Sequence, residues 1–155
     1  MNPNHSLVVC LLFGCLMGCV SIHGAQPLPI RSLAKGAFSG IRDARREVIK
    51  DAAHWEKLWK QHSTSAGSAE KIPTVDFSKE MVIVATMGTQ RTGGYSIEMV
   101  RVEPSGKTLS ISVKQTSPPP GALTIQALTA PFHFVVVPMN DLKPEFVEAK
   151  APDKR

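Results

Sequence analysis

A chain of 155 residues that is 43% hydrophobic has the length for one domain plus a targeting segment and enough apolar material for a core, which argues against two compact domains. Its 18 Lys and Arg against 13 Asp and Glu give a net charge of +5, a mildly basic surface without a like-charge block long enough to single out a polyanionic partner. All three cysteines, Cys10, Cys15 and Cys19, precede residue 20, which removes disulfides, Cys-ligated metals and thiol nucleophiles from the folded part.

The apolar run that opens at Leu7-Val8-Val9-Cys10-Leu11-Leu12-Phe13 and continues to Val20 is shorter than the roughly 20 apolar residues a spanning helix needs, and it suits a signal-peptide core. It ends in Leu16-Met17-Gly18-Cys19, which resembles the bacterial lipobox, where a small residue precedes a cysteine that is acylated and becomes the mature N-terminus. Leu12-Phe13-Gly14-Cys15 is the weaker alternative because of bulky Phe13, and an ordinary secretory cut near Gly24-Ala25 would place His23 where a small residue is preferred. The division expected is a lipoprotein signal over 1–18, a flexible tether over 19–34, a domain over 35–138 and a polar tail over 139–155. Several acyl chains on Cys19 would meet the requirement that stable anchoring take more than one lipid. Val20 after Cys19, instead of an acid, points to the outer membrane in a cell that has one.

Within the domain, 36–41 is glycine-bounded and accommodates a first strand or turn, and the mixed-sign run 42–50 reads as a solvated face. Asp51 is placed to cap a helix, and Trp55, Leu58, Trp59 and His62 follow at i, i+3, i+4 and i+7 on one face, so Trp55 and Trp59 are core candidates. A Ser/Gly/Ala loop over 63–70 leads through Pro73-Thr74-Val75-Asp76-Phe77 into the sheet. Met81 to Met87 is apolar without alternation, as in a strand covered on both faces. Thr92-Gly93-Gly94-Tyr95 then predicts a β-hairpin with an exposed tip.

After that turn the apolar phase passes from Tyr95, Ile97 and Met99 to Val100 and Val102, the signature of a β-bulge. Pro104 to Lys107 is a turn, and Leu109, Ile111 and Val113 alternate with polar residues. Pro118-Pro119-Pro120-Gly121 is a stiff extended loop, while 123–128 and 132–137 read as two more strands. The fold expected is α+β: an antiparallel sheet of about five strands, open or sandwich-like, with one amphipathic helix on it and little room for parallel crossovers.

The order of these landmarks, Trp55-Glu56-Lys57-Leu58-Trp59, Pro73 to Phe77, Thr92-Gly93-Gly94-Tyr95-Ser96-Ile97, Pro120-Gly121 and Leu128-Thr129-Ala130-Pro131, resembles the C-terminal domain of the PrcB family, named for a lipoprotein subunit of a bacterial surface protease complex. The family commonly has proline before its Thr-Gly-Gly-Tyr, where this chain has Arg91. The resemblance implies a non-catalytic module of the cell envelope that assists or binds other proteins, such as a protease, and it carries over no functional residues.

No two-histidine metal pair, Gly-x-Ser-x-Gly elbow or phosphate loop is present, and His133 in a strand is expected at a core edge or surface. Asp76, Glu80 and Glu98 would form a carboxylate pair only through tertiary placement. With 6% aromatics, stacking on nucleic acid has little support. The expectation is therefore an exported, lipid-anchored envelope protein that is not an enzyme, with no cofactor, no metal and no evident small-molecule substrate. Its partner would be a protein, bound through Arg91, Thr92, Gly93, Gly94 and Tyr95 together with Pro119 and Pro120. The alternative expectation is a protease inhibitor, because Thr92-Gly93-Gly94-Tyr95 resembles the Thr-Gly-Tyr loop of chagasin-like cysteine protease inhibitors, although the Asn-Pro and the aromatic that flank that motif are missing.

Overall fold

The computed structural model describes residues 26–64 and 71–149. The signal segment, Cys19 and the tether through residue 25, residues 65–70 of the loop and residues 150–155 of the tail lie outside the described residues. Seven strands and one helix follow in the order β1 (Arg31–Gly36), β2 (Ala44–Ile49), α1 (Ala52–Ser63), β3 (Glu80–Met87), β4 (Ser96–Ser105), β5 (Thr108–Thr116), β6 (Phe132–Pro138) and β7 (Lys143–Glu148). They form a four-stranded sheet ordered β1-β6-β3-β2 and a three-stranded sheet ordered β4-β5-β7.

The β3–β6 pair is the centre of the molecule. Its residues alternate between two cores, which is why neither strand alternates in sequence. Val82, Val84, Phe134 and Val136 face α1 and pack on Trp55, Leu58 and Trp59. Met81, Ile83, Ala85, Val135 and Val137 face the second sheet and pack on Ile97, Met99, Val102, Leu109, Ile111 and Val113. Asp51 caps α1 by accepting from the His54 amide at 2.8 Å, and Trp55 meets Phe134 edge-on with centroids 5.9 Å apart. The bulge expected after Met99 is present as a register shift between Met99 and Arg101, which turns Val100 out and Val102 in.

Four expectations need correction. Among the described residues the strands number seven in two sheets, where an antiparallel sheet of about five, open or sandwich-like, is expected from sequence. β3 and β4 do not form a hairpin: β3 pairs with β2 and β6, β4 pairs with β5, and the Gly-Gly segment passes from one sheet to the other. Residues 123–128 are not a strand, because the proline turn before them and Pro131 after them keep the segment off both sheets. Finally, β5 and β7 are parallel, the crossover being supplied by β6 in the other sheet.

The folded unit also reaches past 35–138 at both ends. Arg31–Gly36, read as partly tether, is an edge strand whose Arg31 forks onto Glu80 at 2.9 and 3.1 Å, with Leu28 bonded to Val102 just before it. Lys143–Glu148, read as tail, is the outer strand of the second sheet, with Phe146 against the core. The run 42–50 is likewise the edge strand β2. The described chain therefore begins where β3 begins, and Gly88 and the loop after it lie at the opposite end.

His133 joins the two sheets. It is 4% exposed, its Nδ1 accepts the Met99 amide at 2.9 Å, and its Nε2, which must then carry the proton, donates to Ser32 Oγ at 3.0 Å. Burial, assisted by Lys35 and opposed by Glu98, lowers its pKa from 6.5 to about 4. An unfolded chain therefore binds this proton more readily than the native one. Stability from this residue is complete above pH 6.5 and is lost as the pH falls toward 4, by about 3 kcal/mol in all. Urea unfolding of the wild type and of His133→Gln at pH 7 and pH 4.5 should show a smaller acid loss in the variant; equal losses would remove His133 from the account.

Candidate interaction face

At the end of the central sheet where β3 finishes and β6 begins, two loops lie side by side. Residues 88–95 leave β3 for β4, and 117–131 leave β5 for β6. Met87 N–H donates to Pro131 O at 2.9 Å, Gln90 and Thr129 exchange both backbone bonds at 2.7 and 3.0 Å, and Gly93 N–H donates to Ile125 O at 3.0 Å. Buried Thr129 donates its hydroxyl to Thr92 O at 2.8 Å. The pair is thus laced together by backbone groups, and it is also tied to the loop between β1 and β2 by bonds from Ala130 to Ala37 and from Thr89 to Arg42.

The glycines are explained by close approach. A Cβ on Gly93 would stand 2.6 Å from Ile125 Cγ1, so a side chain there would collide with the neighbouring loop. Gly94 has φ +86° and would bring a Cβ within 3.0 Å of Pro118 and 3.2 Å of Thr124. Gly121, at φ +78°, follows Pro120 in a turn closed by the Ala122 amide on Pro119 O at 3.1 Å, the type II pattern of proline then glycine.

The residues singled out from sequence are therefore distributed unevenly. Arg91, Gly94, Pro119 and Pro120 are exposed, Thr92 and Tyr95 are half-buried, and Gly93 is buried. Pro118 and Gly94 bring the two loops to one end of the domain. Trp55 and Trp59 lie in the core behind the sheet, and Trp55 Nε1 donates to Pro73 O at 3.1 Å.

Sequence reasoning missed the most conspicuous side chains. Leu123 is fully exposed, Ile125 is 59% and Leu128 61% exposed, and Phe38 is exposed one residue from the Ala37–Ala130 bond. Their alternation imitated a buried strand. The signal that separates them is the pair of breakers, Pro118 to Gly121 and Pro131, on either side of a short run.

Asp76, Glu80 and Glu98 do not converge: they pair with Lys79, Arg31 and Lys35 respectively. Among the described residues no group of three or more His, Cys, Asp or Glu is placed to hold a metal ion. The arrangement offers contact through apolar side chains, backbone groups and the Arg91 guanidinium.

The interlock makes a measurable prediction. Gly93→Ala should destabilise the domain by about 1–3 kcal/mol through overpacking on Ile125, and most of that loss should vanish in an Ile125→Ala background. Gly94→Ala should cost about 1–2 kcal/mol from its left-handed backbone and show no such rescue. Urea titration of the single and double variants checks both.

No curated protein and no solved structure is significantly similar to the chain. The family model described as PrcB C-terminal matches residues 81–138, from the second residue of β3 through the last of β6, and so covers both loops of the face but neither the Trp55–Trp59 nor the Pro73–Phe77 landmark.

Proposed function

We propose that this chain is a non-catalytic accessory protein of the cell envelope, held by lipid on Cys19, which binds a protein partner in a protease complex through the end of the domain formed by loops 88–95 and 117–131. The observation that carries this reading is the exposure of Leu123, Ile125 and Leu128 on a loop fastened by paired backbone bonds. Large apolar side chains clustered on a held surface mark sites of association. The match to the PrcB C-terminal family over 81–138 supports an accessory place beside a protease, since the family takes its name from a subunit of such a complex.

The inhibitor reading has less support. It needs a projecting Thr-Gly-Gly-Tyr hairpin, whereas Gly93 is buried under Ile125 and the flanking strands belong to different sheets. The non-catalytic reading draws on the face itself, whose only ionisable side chains between residues 88 and 95 are Arg91 and Tyr95, with none between 115 and 131.

In cells of the native host, crosslinking followed by recovery of the tagged full chain should yield a protease-complex component. Leu123→Ser with Leu128→Ser should reduce that recovery about tenfold or more, with the thermal midpoint unchanged because both side chains are exposed. Equal recovery from the variant would end the reading. Globomycin treatment should leave the signal segment uncleaved, and mass spectrometry of untreated protein should find an acylated cysteine at position 19.

A further inference from the structure

The interaction reading leaves open what the partner presents, and the backbone of the face bears on that. After the Pro119–Ala122 turn, residues 122–126 contain no turn or bend, and the chain bends at Ala127. Within the described residues none of the amides from Leu123 to Leu128 has a hydrogen-bond acceptor, while the carbonyl of Ile125 is taken by Gly93 and that of Thr124 accepts from Gln126 Nε2 at 3.3 Å. Backbone groups alternate in direction along an extended run, so with Ile125 turned toward Gly93, those of Thr124 and Gln126 face outward. The outer side of the segment is a strand edge whose amides are unpaired, held in place by its inner side.

Charge around this edge is mainly positive, the exposed Asp43 beside Arg42 being ion-paired with Arg45 at 3.7 Å. The sequence has no Asp or Glu between Glu103 and Asp141, and residues 115–131 carry no charge at all. Arg91 in the adjoining loop and Arg42, whose carbonyl accepts from Thr89, are exposed, and neither pairs with an acid among the described residues. Glu98, the acid next along β4, is occupied by Lys35 at 2.8 Å. A second copy of this chain would bring the same cations to the contact, which disfavours self-association there.

We propose that Leu123–Gln126 receives an extended segment of the partner protein as an added strand, and that this segment carries apolar side chains interspersed with acids. The proposal rests on the interaction reading above and adds the mode and chemistry of recognition. Main-chain bonds to Thr124 and Gln126 give affinity, Leu123 and Leu128 give apolar contact, and Arg91 with Arg42 selects acids over bases.

The test uses the full chain carrying Cys19→Ser and fluorescent twelve-residue peptides in which valine and threonine alternate around three glutamates, or around three lysines. Anisotropy should show binding of the glutamate peptide and weaker or no binding of the lysine peptide. Gln126→Pro removes one outward amide and should weaken binding about tenfold, the size of one lost hydrogen bond. Gln126→Ala, which keeps the amide and frees the Thr124 carbonyl, should bind at least as well as the wild type. Because the Gln126 amide has no internal partner, the proline variant should melt at the wild-type temperature. Should it melt early, Arg91→Glu decides, and it should shift preference toward the lysine peptide.

Equal affinity for the two peptides, or wild-type binding by a stably folded Gln126→Pro variant, overturns the proposal. So does Leu123-dependent sedimentation with phosphatidylglycerol vesicles when neither peptide binds, since the face would then be a lipid contact. Loss of the crosslinked component with Leu123→Ser and Leu128→Ser, but not with Gln126→Pro, would retain the interaction reading and discard strand addition.

Discussion

The antiparallel pairing of β3 with β6, buried on both faces, is the constraint from which the rest follows. One face of this two-strand core must be covered by a helix and the other by a second sheet, because seven successive pairs of residues, Glu80 with Pro138 through Thr86 with Phe132, leave apolar side chains pointing both ways. The aromatic contacts among Trp55, Trp59, Phe132 and Phe134 close one side. The His133 bonds to Met99 and Ser32 tie the other side at one polar point within an otherwise apolar layer. A neutral imidazole suits that position, since it offers one donor and one acceptor without a charge to desolvate.

What could be read from the chain was whatever both cores impose locally. The largely apolar runs at Met81–Met87 and 132–137, the alternation of Leu109, Ile111 and Val113, the bulge after Met99 and the capped Trp55/Trp59 stripe all appear where the pattern puts them. The edge strands were not legible. Arg31–Gly36, Ala44–Ile49 and Lys143–Glu148 carry charges and, in β7, a proline, the features that keep edges from pairing with other chains, so they resemble tether, solvated run and tail. Nor does a turn motif disclose which strand its neighbour will pair with. Gly93 and Gly94 specify a tight backbone, but the need for them comes from Ile125, Pro118 and Thr124, far along the sequence.

The candidate face was legible in part for the same reason. Arg91 and the prolines could be named because turn and loop chemistry is local. Leu123, Ile125 and Leu128 could not, since alternation alone does not distinguish a strand facing a core from an extended segment facing solvent. The distinction lies in long-range facts: Thr129 already bonds Gln90 and Thr92, and the segment has no sheet neighbour beyond that bridge. A loop held this firmly loses little freedom when a partner settles on it, which favours association at a modest contact area.

The position of Arg31 beside Glu80, at the end of β3 remote from Gly88, has a consequence for display. With the amino end held in a bilayer, the eight-residue length of β3, about 25 Å at roughly 3.3 Å per residue, separates the root of the domain from its crown. On the proposed anchoring through Cys19, a partner bound at the face would stand off the lipid by the height of one sheet together with whatever reach the expected tether adds.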